Sequence, residues 1–120
     1  MYKGSRIIVL VPAFNEAGKI SRVVQRIDRG VIDTVLVIDD GSTDDTAEIA
    51  RANGAEVLSF ARRSGVGAAL RGGIEFGRRE AFDIAIFMAG NDKDDPSEIP
   101  RLLDPICEQG FELVMGSRYL

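Results

Sequence analysis

Apolar residues in this chain come in short unbroken runs, and between the runs they recur at helical spacing. Ile-Ile-Val-Leu-Val predicts a first strand from Arg6 to Val11, ended by Pro12. Val35-Leu36-Val37-Ile38 forms the heart of a second from Asp33 to Ile38, and further strands are predicted over 55–60, 83–88 and 112–115. Runs without polar alternation belong to strands buried on both faces, as in a parallel sheet. Between them, Ile20, Val23, Val24 and Ile27 stand at i, i+3, i+4 and i+7, one face of a helix starting near Ala17. A second helix is expected from Thr43 to Ala52, stopped at Asn53-Gly54. A third, over 68–80, carries Ala69, Leu70, Ile74 and Phe76 but is weakened by Gly72-Gly73. Ser97 caps a fourth that bears Ile99, Leu102, Leu103 and Ile106. Strand and helix alternate with no linker or repeat. The expected fold is one Rossmann-like α/β domain over residues 1–120, with a doubly wound, mostly parallel sheet of about five strands.

In such a sheet the loops after the strands open on one edge, where ligands bind. Here those loops are polar: Asn15-Glu16, Asp39-Asp40, Arg62 to Gly67, Asn91 to Asp95 and Ser117-Arg118. The second of them organises the chain. Val37-Ile38 runs straight into Asp39-Asp40-Gly41-Ser42-Thr43-Asp44-Asp45. Adjacent carboxylates repel unless a donor, a cation or a ligand stands between them, and because the pair sits at a strand's carboxyl end a ligand role is preferred to a purely structural one. Gly41 allows a sharp exit, and Ser42 or Thr43 is expected to cap the next helix, with Asp44 and Asp45 in its first turn.

Gly65-Val66-Gly67 at a helix start can offer N–H groups to a phosphate, with Arg62 and Arg63 adding charge, or can serve as plain turn residues. Neither reading outweighs the other. The dinucleotide pattern is excluded, because Pro12-Ala13-Phe14 stands where its glycines would follow the first strand. Asn91 to Asp95 offers hard oxygen ligands suited to Mg²⁺ or Mn²⁺, or is a solvated acidic loop. Arg118 is placed to meet an anion beyond the last strand.

Composition narrows the chemistry. The chain has no histidine, which removes imidazole catalysis and histidine-ligated metals. Its single cysteine, Cys107, removes an internal disulfide framework and fits a reducing compartment. Lys and Arg number 15 against 19 Asp and Glu, and the net charge of −4 disfavours nucleic acid as a partner. No signal peptide or membrane-spanning run is present, so a cytoplasmic location is expected.

Five stretches in this order resemble the family 2 GT-A glycosyltransferases, especially the polyprenyl-phosphate sugar transferases related to dolichyl-phosphate mannose synthase. They are Val11-Pro12-Ala13-Phe14-Asn15-Glu16, Val37 to Asp44, Gly65 to Gly73, Asp95 to Leu103 and Gly116-Ser117-Arg118-Tyr119. The resemblance covers almost the whole chain. It implies a domain that binds a nucleotide-diphosphate sugar for transfer, with a polyprenyl phosphate as acceptor at the cytoplasmic face of the membrane. It implies nucleotide-binding roles for Pro12, Ala13, Glu16, Asp39, Asp40, Gly67 and Arg118. An aspartate can accept the ring and exocyclic N–H groups of uracil or guanine, which agrees with the implied role of the Asp39-Asp40 loop.

Two features depart from the pattern. Where the family carries Asp-x-Asp to chelate a metal on the diphosphate, this chain has Ala89 and Asn91, which leaves Asn91 and Asp92 as the remaining candidates for Mg or Mn. The glycine loop carries Arg63 and Val66 in place of an asparagine and a lysine. The family's acceptor half, with its catalytic base, follows the Gly-Ser-Arg motif, so 1–120 is expected to be the donor-binding half and names no catalytic residue. Apolar surface left open by a missing half makes self-association an expectation. The alternatives are a non-catalytic nucleotide-binding or assembly module and, ranked lower, a receiver-like signalling domain. The last needs an aspartate after the third strand and a lysine after the fifth, where Arg62 and Arg118 stand.

Overall fold

The computed structural model describes residues 4–88 and 112–115. In chain order these form β1 (Ile7–Ala13), α1 (Ile20–Arg26), β2 (Thr34–Asp39), α2 (Thr46–Ala52), β3 (Glu56–Ser59), α3 (Val66–Arg79), β4 (Ile84–Phe87) and β5 (Glu112–Met115). The strands make one sheet in the order β3-β2-β1-β4-β5, every neighbouring pair parallel. The expected doubly wound sheet is borne out, and the predicted strands fall within a residue or two of the observed ones. The expected helix from Ser97 and the polar loop before it lie outside the described residues.

Strand periodicity divides the core into two layers. Ile7, Val9, Val11, Val35 and Val37 point to the side covered by Ile20, Val23 and Val24 of α1 and Ala50 of α2. Ile8, Leu10, Leu36 and Ile38 point to the other side, under Ala69 and the half-buried Leu70, Ile74 and Phe76 of α3. Ile7 to Val11 are fully buried, because β1 is central and covered on both faces. Their unbroken apolar run is the consequence.

Pro12 does not end β1. The strand continues to Ala13, with Pro12 opposite Ile38 and Ala13 opposite Asp39. The reason lies in which way the peptide groups face. Asp33 N donates to Ile7 O and Asp40 N to Ala13 O, so the odd residues of β1 bond towards β2. Ile84 N donates to Arg6 O and Met88 N to Leu10 O, so the even ones bond towards β4. Pro12 therefore turns its missing donor to the β4 side, where the last pair among the described residues is Leu10 opposite Phe87. No rung to β2 is lost.

Gly72 and Gly73 do not interrupt α3 either. A Cβ on Gly73 would stand 2.8 Å from Leu10 Cδ1 and 2.9 Å from Ile38 Cδ1. One on Gly72 would meet Leu58 Cδ2 and Phe60 Cζ at 3.3 Å. The pair lowers intrinsic helix propensity but lets α3 lie close upon β1, β2 and β3. At the opposite, amino edge of the sheet, Asp33 Oδ2 accepts the Ile7 N–H and Asp83 Oδ2 the Arg6 N–H, each at 2.7 Å.

Candidate functional site

Three loops leave the carboxyl edge beside one another, after β1, β2 and β3, and hydrogen bonds stitch them together. Asn15 holds a left-handed backbone with φ 52. Its N–H donates to Ser42 Oγ at 2.9 Å, and its Oδ1 accepts the Thr43 N–H at 2.8 Å. The Glu16 N–H donates to Thr46 Oγ1 at 3.0 Å, and the Ala17 N–H to Asp44 Oδ2 at 3.2 Å. Ser42 and Thr43 thus bind the neighbouring loop and do not cap the helix. α2 starts at Thr46, with Asp45 at the capping position making no side-chain cap bond and Glu48 as the acid of its first turn. The expected cap fails because those hydroxyls and N–H groups already have partners across the edge. Asp44 takes the turn instead, accepting from the hydroxyl of Thr46 and from its N–H. The Thr46 hydroxyl, opposed by desolvation and aided by the N–H groups of Thr46 and Ala17, holds the Asp44 carboxyl below its ordinary 3.8.

Asp39 and Asp40 are both nearly buried, 7% and 6% exposed. They do not face each other, since consecutive residues of an extended chain point to opposite sides. Asp39 Oδ1 accepts the Ser42 N–H at 3.0 Å, and its Oδ2 takes no bond among the described residues. Asp40 points under α3, where its two oxygens accept the Ser64 N–H at 2.6 Å and the Gly65 N–H at 2.9 Å. The donors that relieve the two charges are thus backbone N–H groups on separate loops. Asp40 also fills the place an outside anion would take at Ser64 and Gly65, which weakens the phosphate reading of that glycine turn. Gly67 lies exposed in the first turn of α3.

The second and third loops touch at Gly41. Its φ is +78, and a Cβ there would fall 2.4 Å from Arg63 N and 2.5 Å from the Arg62 carbonyl carbon. Only glycine permits that approach. The first and third loops meet through Arg63, whose guanidinium carbon lies 4.1 Å from the centroid of the Phe14 ring. Glu16 adds an unmet group: its Oε2 is buried without a hydrogen-bond partner.

Of the residues singled out from the sequence, Pro12, Ala13, Glu16, Asp39 and Asp40 gather at this edge, and Gly67 lies in the first turn of α3. Arg118, Asn91 and Asp92 fall outside the described residues. Among the described residues no group of three or more acidic, cysteine or histidine side chains could hold a metal, and Asp39 and Asp40 point to opposite sides of the extended chain. Asn15, Ser42 and Phe14 contribute in ways the sequence reading, which had them as loop, cap and motif residues, did not assign, and Ser64 contributes through its N–H. Their signal was the strand period, which already sends Asp39 and Asp40 to different neighbours. No helix among the described residues is long and apolar enough to cross a membrane.

The chain matches the family model described as glycosyl transferase family 2 over residues 8–120. It is 32% identical to polyprenol monophosphomannose synthase of Mycolicibacterium smegmatis, across 96% of this chain and 46% of that protein. It is 30% identical to undecaprenyl-phosphate mannosyltransferase of Micrococcus luteus, across 94% of this chain and 48% of that protein. The crystal structure of glucosyl-3-phosphoglycerate synthase from Mycobacterium tuberculosis in complex with Mn²⁺, uridine diphosphate and glucosyl-3-phosphoglycerate superposes with a TM-score of 0.72 at 33% identity. That superposition covers 88% of this chain and 40% of the synthase. The chain spans about half the length, or less, of these relatives. Order of motifs, parallel sheet and strand-edge loops agree with these matches: the chain belongs to glycosyl transferase family 2.

Proposed function

We propose that residues 1–120 form a single donor-binding domain, which takes a nucleoside-diphosphate sugar for transfer to a polyprenyl phosphate in the full enzyme. The observation that carries this is the joining of three strand-edge loops around two nearly buried carboxylates, one of which keeps an oxygen without a partner among the described residues. Asp39 is the contacting acid. Its Oδ2 accepts an N–H of the base, and a pyrimidine or purine edge supplies such a donor. The buried Oε2 of Glu16 accepts a ribose hydroxyl, which would satisfy it. Pro12 and Ala13 floor the base, and Arg118 meets the diphosphate. Asp40 acts through the backbone, fixing the loop that closes the site.

The names of the relatives support this reading: two are polyprenyl-phosphate mannosyl enzymes, and one was crystallised with uridine diphosphate and Mn²⁺. A divalent cation bound at Asn91 and Asp92 would neutralise diphosphate charge. The described residues supply no chelate for it, and no step here depends on one. The location proposed is the cytoplasmic face of the membrane, where a lipid-linked acceptor is reached, and self-association of the domain is proposed with it.

Calorimetry with UDP, GDP and their sugars, with and without Mn²⁺, tests the reading. Saturable binding of one nucleotide series, lost in Asp39→Asn with the fold intact, is the expected result. No binding of either series by a folded chain would reject it. Nucleotide binding by a full-length enzyme that transfers no sugar would favour the non-catalytic module instead.

A further inference from the structure

We propose that Arg63 is a ligand-contacting residue of this site, its guanidinium meeting the diphosphate of the bound nucleotide. The inference rests on the donor-nucleotide reading above and adds a residue to it. Two acids approach this edge from β2, so an anionic ligand needs positive charge close by to offset them. The N-terminal turn before α3 does not provide it, because Asp40 already occupies the Ser64 and Gly65 N–H groups. Arg63 stands immediately before those two residues and faces the first loop, where its side chain lies over Phe14.

Its position is unusually well fixed for an exposed arginine. Gly41 presses against its backbone nitrogen, Asp40 grips the next two residues, and Phe14 supports the guanidinium plane. Stacking uses the flat face of the guanidinium and leaves the N–H groups at its rim available, a planar fork that matches two phosphate oxygens. No carboxylate among the described residues pairs with it. A cation held this firmly loses little freedom on binding, and that favours affinity.

The test is titration of the full chain with UDP, GDP, uridine and guanosine, weak ligands being measured by competition. It compares the wild type with Arg63→Gln, Arg63→Lys and Arg51→Gln. The last makes the same charge change at the far end of α2. Arg63→Gln should weaken the diphosphate that binds by about tenfold or more, and its nucleoside by less than about twofold. Arg63→Lys should fall between, since it keeps the charge and loses the fork. Arg51→Gln should change neither, and thermal melting should show all variants folded. Equal losses for nucleoside and diphosphate, or no loss for the diphosphate, would overturn the proposal while leaving the donor reading in place. Failure of the wild type to bind any nucleotide would overturn both.

Discussion

Gly41→Ala probes the tightest glycine site among the described residues. Two costs add. The backbone at φ +78 must be held by a residue with a Cβ, and that costs about 1–2 kcal/mol, partly offset by the reduced freedom of the unfolded chain. The new methyl would also stand 2.4 Å from Arg63 N and 2.5 Å from the Arg62 carbonyl carbon, so a loop backbone must move. Displacement of that kind costs about 1–3 kcal/mol. The sum is about 2–4 kcal/mol. Gly54→Ala is the comparison that isolates the second term. Its φ is +91, yet its nearest neighbour would be a flexible arginine end, Arg29 Nη2, at 3.7 Å. It should therefore lose only about 1 kcal/mol. Urea denaturation of both variants gives the difference. Hydrogen exchange at the Ser64 and Gly65 amides shows whether the third loop escapes by letting go of Asp40. If Gly41→Ala is no less stable than Gly54→Ala and those amides keep their protection, the close approach does not constrain the loops and the reasoning fails.

Asp40→Ala should cost about 2–3 kcal/mol by stripping a carboxylate from two backbone donors, with faster exchange at residues 64 and 65. Unchanged exchange there would show the loop is held by something else. Gly73→Ala should destabilise by about 1–2 kcal/mol despite better helix propensity, because its Cβ would press on the buried ends of Leu10 and Ile38. Gly72→Ala, with looser contacts, should be close to neutral, and equal stabilities for the two would contradict the packing described. The folded value of Asp44 lies below its ordinary 3.8, so its contribution is complete above that pH and is lost as the pH falls through the folded value. Urea midpoints followed into acid should therefore drop less for Asp44→Asn than for the wild type, and parallel curves would refute the assignment.

The fold was legible because two periods dominate this chain. Unbroken runs such as Ile7 to Val11 and Val35 to Ile38 can only be central strands, and the i, i+3, i+4, i+7 spacing of Ile20 to Ile27 can only cover one side of them. Local rules misled where a partner distant in sequence decided the outcome. Pro12 reads as a stop until the facing of its peptide is known. Gly72-Gly73 reads as a weakness until Leu10 and Ile38 lie beneath it. Ser42 and Thr43 read as caps until Asn15 takes them. The site was legible as a neighbourhood, since parallel strands must deliver their following loops to one edge. The division of labour between Asp39 and Asp40 was hidden, because it depends on which neighbour each side chain meets. Phe14 and Arg63 are 49 residues apart in number and share no motif, so nothing in the sequence joined them.

The proline inside β1 also shapes the carboxyl edge of the sheet. After the bond from Met88 N–H to the Leu10 carbonyl, the next rung of a parallel ladder would run from the N–H of residue 12 to the Met88 carbonyl. An imino acid has no hydrogen to give, so that rung cannot form, while β1 and β2 stay paired to Asp39. The strand order reverses between β1 and β4, the position where open sheets of this kind part to admit a ligand. One absent proton thus removes a rung at this fork. A residue with an N–H at this position would hold the donor that this rung needs.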